Sequence, residues 1–278
     1  MKLTLAFSPC PNDTFIFDAI ANKKIDLQGI DFEIVLADVH ELNERAARNE
    51  THITKLSYAA FPLVSTDYVL LNSGSALGNN CGPLLISKNR LPDPFQQLKE
   101  MTVAIPGKNT TANFLFSLAF PDALNKKEML FSEIEDAVFN ETMGAGVIIH
   151  ENRFTYEKRG LVKVMDLGQF WEKQTRMPIP LGGIAIKRSL PDEVKKKIDS
   201  LIKKSVEFAM KNPAQTMDYV RAHSQTMEEH VMMQHVILYV NEYTRDLGKT
   251  GKAAVEKLFD VAIRKKLIEE VTKPLFVG

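Results

Sequence analysis

The feature that most constrains the fold is a regular alternation of short apolar runs with amphipathic segments along the first two thirds of the chain. The apolar runs are predicted to be strands, and they cover residues 2–7, 31–36, 51–56, 101–105, 129–131, 145–150 and 182–187. Helices are predicted between most of them, and the chain after Pro191 is predicted to be entirely helical. This rhythm is typical of βαβ units, so it favours an α/β fold with mainly parallel sheets.

The length and composition of the chain indicate two lobes rather than one. A chain of 278 residues is long for a single core, and 45% hydrophobic with 25% charged residues is typical of a globular protein. Two connections, near residues 88–100 and 178–188, are predicted to join the lobes. We therefore assign residues 1–88 and 188–278 to a first lobe and residues 89–187 to a second. Because open α/β sheets bind ligands beyond the carboxyl ends of their strands, a ligand cleft is predicted between the lobes.

Charge, hydropathy and cysteine content argue against several classes of protein. Basic and acidic residues each total 35, so nothing favours binding to nucleic acid or to an anionic membrane surface. No apolar run approaches the roughly 18 residues of a membrane span, and the N-terminal residues lack the pattern of a secretory signal. We therefore expect a cytoplasmic protein with reduced thiols. Cys10 is interpreted as a partly buried, inert thiol, with a nucleophile as the alternative, and the role of Cys81 is left open.

Two segments near the N-terminus carry groups that could contact a ligand. The loop from Phe7 to Phe15 follows the first predicted strand, and its prolines stiffen it so that its polar groups face the cleft. Asn12 or Asp13 could equally serve only to cap the first helix. The run Lys55-Leu56-Ser57 ends the third predicted strand, where it can meet an anionic or hydroxylated ligand. The alternative is a surface lysine beside a helix cap.

A third segment, from Pro106 to Ala112, has the character of an anion site. Asn109, Thr110 and Thr111 stand where a strand gives way to a helix. Backbone N–H groups at a helix start, with hydroxyl groups beside them, bind a carboxylate or a phosphate. The segment lacks the spacing of a nucleotide-binding P-loop, and the same groups could simply cap the helix.

His150 is the candidate for acid–base chemistry. It follows four apolar residues at the end of a predicted buried strand, where a side chain meets the cleft. Imidazole has an ordinary pKa of about 6.5, so it can accept a proton at neutral pH. A hydrogen-bonded structural role is the alternative. No metal site is predicted, because the cysteines and histidines do not follow any metal-ligand spacing.

Taken together, five motifs resemble those of the 1,4-dihydroxy-6-naphthoate synthases of the futalosine route to menaquinone. In chain order they are Ser8 to Phe15, Cys81 to Leu84, the Pro-Gly pair with Thr110-Thr111-Ala112, Gly146 to Tyr156, and Pro178 to Gly183. They span roughly residues 7 to 183, whereas the C-terminal helices carry no usable motif.

The resemblance implies a two-lobed fold like that of the type II periplasmic binding proteins, used as a carbon–carbon lyase. The family's substrate is cyclic dehypoxanthine futalosine, a small carboxylate, and no metal or redox cofactor is implied. Its general base corresponds to His150. Its substrate contacts correspond to Lys55-Leu56-Ser57 and Thr110-Thr111, to which we add Asn12 and Asn109 as predicted contacts.

Other functions stay open at this point. A small-anion binding protein of a transport system would share the fold, although such proteins usually carry an export signal or lipid anchor. A chorismate dehydratase of the same pathway would share the two lobes but lack the Ser8 to Phe15 motif. A ligand-sensing regulatory domain is less favoured, since neither a DNA-binding helix pair nor a basic stripe is evident. The oligomeric state is not predicted.

Overall fold

The chain forms two compact units, one of which is built from two separate stretches of sequence. A computed structural model describes residues 1–224 and 228–278. Unit 1 comprises Met1–Gly78 with Pro180–Gly278, and unit 2 comprises Asn79–Ile179. The first crossing lies before the predicted connection at 88–100, whereas the second falls within the predicted connection at 178–188, ahead of the assigned boundary at residue 188. The strand that covers residues 84–87 hydrogen-bonds in the sheet of unit 2, and the strand that covers residues 179–187 does so in the sheet of unit 1.

The elements follow the predicted alternation except at residues 68–87, where three short strands that the sequence did not predict follow one another without a helix between them. After the last strand the described chain is helical only as far as Arg264, which corrects the prediction for the C-terminal end: residues 265–278 form no helix, and Phe276 pairs with Leu70. The strands are β1 (Lys2–Phe7), β2 (Asp31–Leu36), β3 (Ile53–Ser57), β4 (Tyr68–Leu70), β5 (Ala76–Gly78), β6 (Leu84–Ser87), β7 (Val103–Ile105), β8 (Lys126–Glu128), β9 (Ala145–Ile148), β10 (Val162–Asp166) and β11 (Ile179–Lys187). The helices are α1 (Pro11–Ala21), α2 (Val39–Ala47), α3 (Phe61–Val64), α4 (Pro94–Glu100), α5 (Thr111–Ala119), α6 (Phe131–Phe139), α7 (Leu167–Thr175), α8 (Asp192–Lys211), α9 (Pro213–His223), α10 (Glu229–Tyr239), α11 (Glu242–Arg245) and α12 (Gly248–Arg264). Two short 3₁₀ helices cover His150–Phe154 and Tyr156–Arg159.

Each unit contains one mixed sheet. In unit 1 the strand order is β2-β1-β3-β11-β4, with β5 paired to β11. The pairs of β1 with β2 and β3 are parallel, whereas β11 runs antiparallel to β3 and β4. In unit 2 the order is β10-β6-β9-β7-β8, and β7 is parallel to β8 and β9 while β6 is antiparallel to β9 and β10. The antiparallel pairs involve β6 and β11, the strands with which the chain enters unit 2 and returns to unit 1.

The C-terminal helices complete the core of unit 1. Leu201 and Ile202 of α8 lie in the same buried cluster as Leu5 of β1 and Ile16 of α1. The Ser205 hydroxyl donates a hydrogen bond to the Ile16 carbonyl at 2.6 Å. A fully buried side chain of this size contributes about 1.5–3 kcal/mol of burial free energy, so these helices are part of the core of unit 1.

Unit 2 has its own buried cluster beneath α6. Ile134 and Val138 of this helix pack with Ile86 and Ile148 of the sheet. Gly146 lies directly under the helix, where an added Cβ atom would come within 2.5 Å of the Ile134 side chain. The helix can therefore approach this strand closely only because the position is glycine. In the described residues, no helix is both long enough and apolar enough to cross a membrane.

Candidate functional site

In unit 1, the two N-terminal candidate segments lie at one edge of the sheet. Strands β1 and β3 are parallel neighbours, in which Leu5 pairs with Ile53 and Ala6 with Thr54. Parallel neighbours end at the same edge, so the loop that follows Phe7 and the end of β3 come together there. This edge is the one at which open α/β sheets bind ligands.

The centre of this edge is a buried ion pair between Asp13 and Lys55. The Lys55 ammonium lies 2.6 Å from Asp13 Oδ1, and the two side chains are only 7% and 2% exposed. The same Oδ1 accepts a hydrogen bond from the Asn12 amide at 2.8 Å, and Oδ2 accepts one from the Ser8 hydroxyl at 2.8 Å. Removing one partner of such a buried pair costs roughly 3–5 kcal/mol, because the other charge is left uncompensated.

Neither Asn12 nor Asp13 caps the first helix, which corrects one of the two sequence interpretations. Helix α1 begins at Pro11, with Cys10 as its N-cap residue. Proline is favoured at the first helical position because its missing N–H group would have no partner there. This start places Asp13 inside the first turn, from which its carboxylate reaches back to Ser8.

The two residues that follow Lys55 at the end of β3, Leu56 and Ser57, make different contacts with the rest of the protein. Ser57 exchanges hydrogen bonds with Asn43: its N–H donates to Asn43 Oδ1 at 2.9 Å, and its hydroxyl accepts from the amide at 3.2 Å. The Leu56 side chain is fully buried. Gly182 of β11 lies against Leu56, and a Cβ atom added there would come within 2.8 Å of the Leu56 carbonyl oxygen.

In unit 2, the anion-site segment and the candidate base also lie at one sheet edge. Strands β7 and β9 are parallel neighbours, in which Val103 pairs with Ala145 and Ala104 with Gly146. The segment that begins at Pro106 follows one strand and His150 follows the other, so both lie beyond the carboxyl ends of adjacent parallel strands.

Thr110 is the N-cap residue of α5. Its hydroxyl accepts a hydrogen bond from the Asn113 N–H at 3.2 Å and donates one to the Gly107 carbonyl at 2.7 Å. The helix proper begins at Thr111, and both threonine side chains are buried, whereas Asn109 is half-buried. The capping interpretation of Thr110 is therefore confirmed. It is compatible with an anion site, because the cap leaves the first N–H groups of the helix directed out of its end.

His150 occupies a left-handed backbone conformation at the start of a 3₁₀ helix. Its φ angle is 57°, a value that residues other than glycine adopt infrequently. The predicted strand ends at Ile148, before this residue, because the chain turns into the 3₁₀ helix. The half-buried imidazole packs edge-on against Phe131, with 4.8 Å between ring centroids. An unusual backbone conformation of this kind is a pointer to function.

Arg153, three residues after His150, fastens the 3₁₀ segment to the loop that precedes β6. Its guanidinium group donates to the carbonyl groups of Gly82 and Asn80, the latter at 3.0 Å, and lies 3.5 Å from Asp166. Sequence reasoning assigned no role to this residue. Its position in the Gly146 to Tyr156 motif was the sequence feature that could have drawn attention to it.

Neither cysteine forms a disulfide bond, and both are buried. Burial is the main reason why the pKa of the Cys81 thiol is raised to about 12, so this thiol stays protonated at neutral pH. No group of three or more His, Cys, Asp and Glu side chains suited to a metal ion occurs within residues 1–224 and 228–278.

Comparison with known proteins shows to which family the chain belongs. A family described as menaquinone biosynthesis matches residues 3–264. A protein of Thermus thermophilus named 1,4-dihydroxy-6-naphthoate synthase is 42% identical over 275 residues, which is 99% of each chain. A Streptomyces coelicolor protein of the same name is 40% identical, over 96% of this chain and 94% of its own. The chain belongs to the menaquinone biosynthesis family.

Solved structures support the fold class of this menaquinone biosynthesis family member. A crystal structure of an Archaeoglobus fulgidus protein superposes with a TM-score of 0.90 at 34% identity, covering 96% of this chain and 98% of that one. The periplasmic aliphatic sulphonate binding protein of Escherichia coli superposes with a TM-score of 0.67 at 9% identity, covering 97% and 89%. The predicted α/β fold of the periplasmic-binding-protein type is therefore confirmed.

Proposed function

We propose that this chain is an enzyme that converts cyclic dehypoxanthine futalosine to 1,4-dihydroxy-6-naphthoate in menaquinone biosynthesis. The names of its two relatives support the reaction, since the similarity extends over nearly the whole chain. The observation that carries the proposal is the common sheet edge of unit 2. A group able to accept a proton, His150, and a helix start able to bind a carboxylate follow adjacent parallel strands.

In this proposal the helix start of α5 binds the aromatic carboxylate of the substrate. Asn109, Thr110 and Thr111 surround this helix start, and the positive end of the helix dipole favours a negative charge there. The carboxylate is the part of the substrate that the reaction leaves unchanged, so its binding orients the rest of the molecule for the chemical step.

His150 acts as the general base. It removes a proton from the bound substrate, and the resulting charge delocalises toward the ketone. A carbon–carbon bond then breaks, its electron pair stays with the fragment that leaves, and the imidazolium returns its proton to that fragment. Formation of the aromatic bicycle drives the step, and the reaction is that of a lyase. The left-handed backbone at this position fixes where the imidazole leaves the chain, which favours one orientation of the base.

The substrate contacts proposed in unit 1 differ in the group that each residue offers. Lys55 and Ser57 offer an ammonium and a hydroxyl group to the hydroxylated part of the substrate. The buried side chain of Leu56 leaves only its main chain for a contact. Asn12 has both ends of its amide engaged by protein groups, which makes a supporting role for it more natural than a direct contact.

The experiment is incubation of the purified protein with cyclic dehypoxanthine futalosine, followed by absorbance and mass detection of the naphthoate product. Two substitutions test the base. His150→Asn keeps a residue that tolerates the left-handed backbone, and His150→Ala removes the side chain altogether. We expect both to lower turnover by ~10²–10⁴-fold, which is what a positioned general base contributes, while the affinity for the product changes little.

His230→Ala is the matched control, because that histidine is 63% exposed and forms a surface pair with Glu228. Turnover within tenfold of the unmodified protein in both His150 variants would reject the role of the base. Turnover of chorismate in place of cyclic dehypoxanthine futalosine would favour the dehydratase, and tight product binding without turnover would favour a binding protein.

Independence from metal ions and redox cofactors is also a proposal, and the same assay tests it. The protein is treated with a chelator and desalted before the substrate is added. We expect an unchanged rate. A lost rate that one added metal ion restores would overturn this part of the proposal without affecting the assignment of substrate.

A further inference from the structure

A chain of hydrogen bonds connects helix α10 to the Lys55 ammonium. His235 is fully buried, and its Nε2 atom lies 2.9 Å from Asn12 Oδ1. The Asn12 amide nitrogen donates to Asp13 Oδ1 at 2.8 Å, and the Lys55 ammonium donates to the same oxygen at 2.6 Å. All four side chains are buried, and 223 residues of sequence separate His235 from Asn12.

The chemistry of the groups fixes the direction of every hydrogen bond in this chain. An ionised carboxylate only accepts, so the Asn12 amide must turn its nitrogen toward Asp13. Its oxygen therefore faces His235, and the imidazole must carry its proton on Nε2 in order to donate. The Asp13 carboxylate thus accepts hydrogen bonds from both Asn12 and Lys55. Its bond to Asn12 also fixes the amide orientation in which Asn12 accepts from His235.

The chain leaves little freedom to the lysine ammonium. Besides its bond to Asp13, this group lies 3.4 Å from the Gly74 carbonyl oxygen. In the described part of the chain, Asp13 and Gly74 supply the two acceptors of this ammonium, so its third N–H can donate to an acceptor on a ligand. A shift of Asp13 would move the ammonium with it, because the ion pair is short and excluded from solvent.

We propose that His235 is a positioning residue for Lys55, which it holds in place through Asn12 and Asp13. This inference rests on the proposed function only insofar as Lys55 contacts the substrate. It gives the C-terminal helices, which carry none of the family motifs, a part in the substrate site. The residue does not touch the substrate itself. It determines where the ammonium is presented.

Two substitutions separate the hydrogen bond from the space that the imidazole fills. In His235→Gln, the amide nitrogen can take the position of Nε2–H and donate to Asn12. In His235→Asn, the side chain is too short to reach it. Val236→Ala is the matched control, since this neighbour is buried on the same helix but lies outside the hydrogen-bond chain.

The first readout is the split between KM and kcat for the substrate. We expect His235→Asn to raise KM by about three- to tenfold, as befits one lost hydrogen bond, with a smaller change in kcat. His235→Gln should recover most of this loss, and Val236→Ala should lower stability without changing KM. Equal KM values in His235→Asn and Val236→Ala, or a His235→Gln variant as impaired as His235→Asn, would overturn the proposal.

The second readout does not depend on turnover. In protein labelled on lysine with ¹³C and ¹⁵N, the resonances of the Lys55 side chain report the position of its ammonium. We expect them to shift or broaden in His235→Asn but to stay unchanged in His235→Gln and Val236→Ala. Unchanged Lys55 resonances in His235→Asn would refute the positioning role. If the unmodified protein failed to convert cyclic dehypoxanthine futalosine, the proposed function would fail, while these resonances would still decide the role of His235.

Discussion

At the scale of single residues, Thr110 shows that one side chain can serve both interpretations of a motif. Its hydroxyl caps α5 by accepting from Asn113 and donating to Gly107. The cap orders the first turn, and an ordered first turn is what presents N–H groups to an anion. Stability and ligand binding should therefore change together when the hydroxyl is removed.

We expect Thr110→Val to lower the free energy of unfolding by about 1 kcal/mol, the usual cost of a lost cap, and to weaken binding of the naphthoate product. Thr110→Ser keeps the hydroxyl and should restore both quantities. Urea unfolding and product titration of the two variants check this. Loss of stability with unchanged product affinity would confine Thr110 to capping and remove the anion site from this helix start.

Individual residues were predictable where a short motif carried them and unpredictable where distant segments meet. The sequence drew attention to Lys55 and His150, because each stands at the end of an apolar run. It drew attention to Thr110 because a helix is predicted to start there, shortly after another apolar run. It gave no sign of His235, whose hydrogen-bond partner lies at the other end of the chain. Pairing of this kind follows from tertiary packing, which no local pattern encodes.

At the scale of elements, Arg153 connects the 3₁₀ helix that starts at His150 to the neighbouring chain segments. The guanidinium fork reaches the carbonyl groups of Gly82 and Asn80 and the Asp166 carboxylate, and the side chain is 12% exposed. Lysine keeps the charge but has no fork, so it cannot bind all of these acceptors in the same geometry.

We expect Arg153→Lys to lower the free energy of unfolding by about 1–3 kcal/mol, because it leaves a buried acceptor without its donor. The matched control is Arg221→Lys in α9, whose side chain is 43% exposed and pairs with the exposed carboxylates of Asp218 and Glu229. A surface pair of that kind contributes about 0–1 kcal/mol. Urea unfolding distinguishes the two, and equal losses in both variants would show that Arg153 does not fasten this segment.

Element boundaries were predicted best where burial dictates them. The apolar run at 145–150 marks the buried strand β9, which ends after Ile148. The strand predicted at 129–131 is wrong: Lys126–Glu128 forms β8, and α6 begins at Phe131. Strand β8 is the last in its sheet and carries polar, largely exposed residues, so hydrophobicity could not reveal it.

At the scale of the whole molecule, the sequence indicated two units but not the direction of every strand. Alternating strands and helices predict parallel pairing within each series of βα units, which β1, β2 and β3 confirm. The strands β6 and β11 are instead antiparallel to their neighbours. Their direction depends on how the chain crosses between units, and periodicity within a segment contains no information about that crossing.

The discontinuity of unit 1 leads to a prediction about truncation. Residues 1–78 bury Leu5 and Ile16 against side chains of α8, including Leu201 and Ile202. Losing a single buried leucine or isoleucine side chain costs about 2–5 kcal/mol, and a whole domain is stable by only about 5–15 kcal/mol. A chain that ends at Lys187 loses all the C-terminal helices, so the N-terminal part of unit 1 should not stay folded.

Unit 2 is continuous in sequence, and its buried cluster under α6 is formed by its own side chains. Limited proteolysis of the chain that ends at Lys187 should therefore degrade residues 1–78 rapidly and leave a protected fragment close to residues 79–179. The unmodified chain retains α8 to α12 and the pairing of Leu275 and Val277 with Leu70, and it should protect both parts. Equal protection of residues 1–78 in the truncated and the unmodified chain would mean that the N-terminal strands and α1 form a stable core without the C-terminal helices, contrary to the packing of α1 against α8.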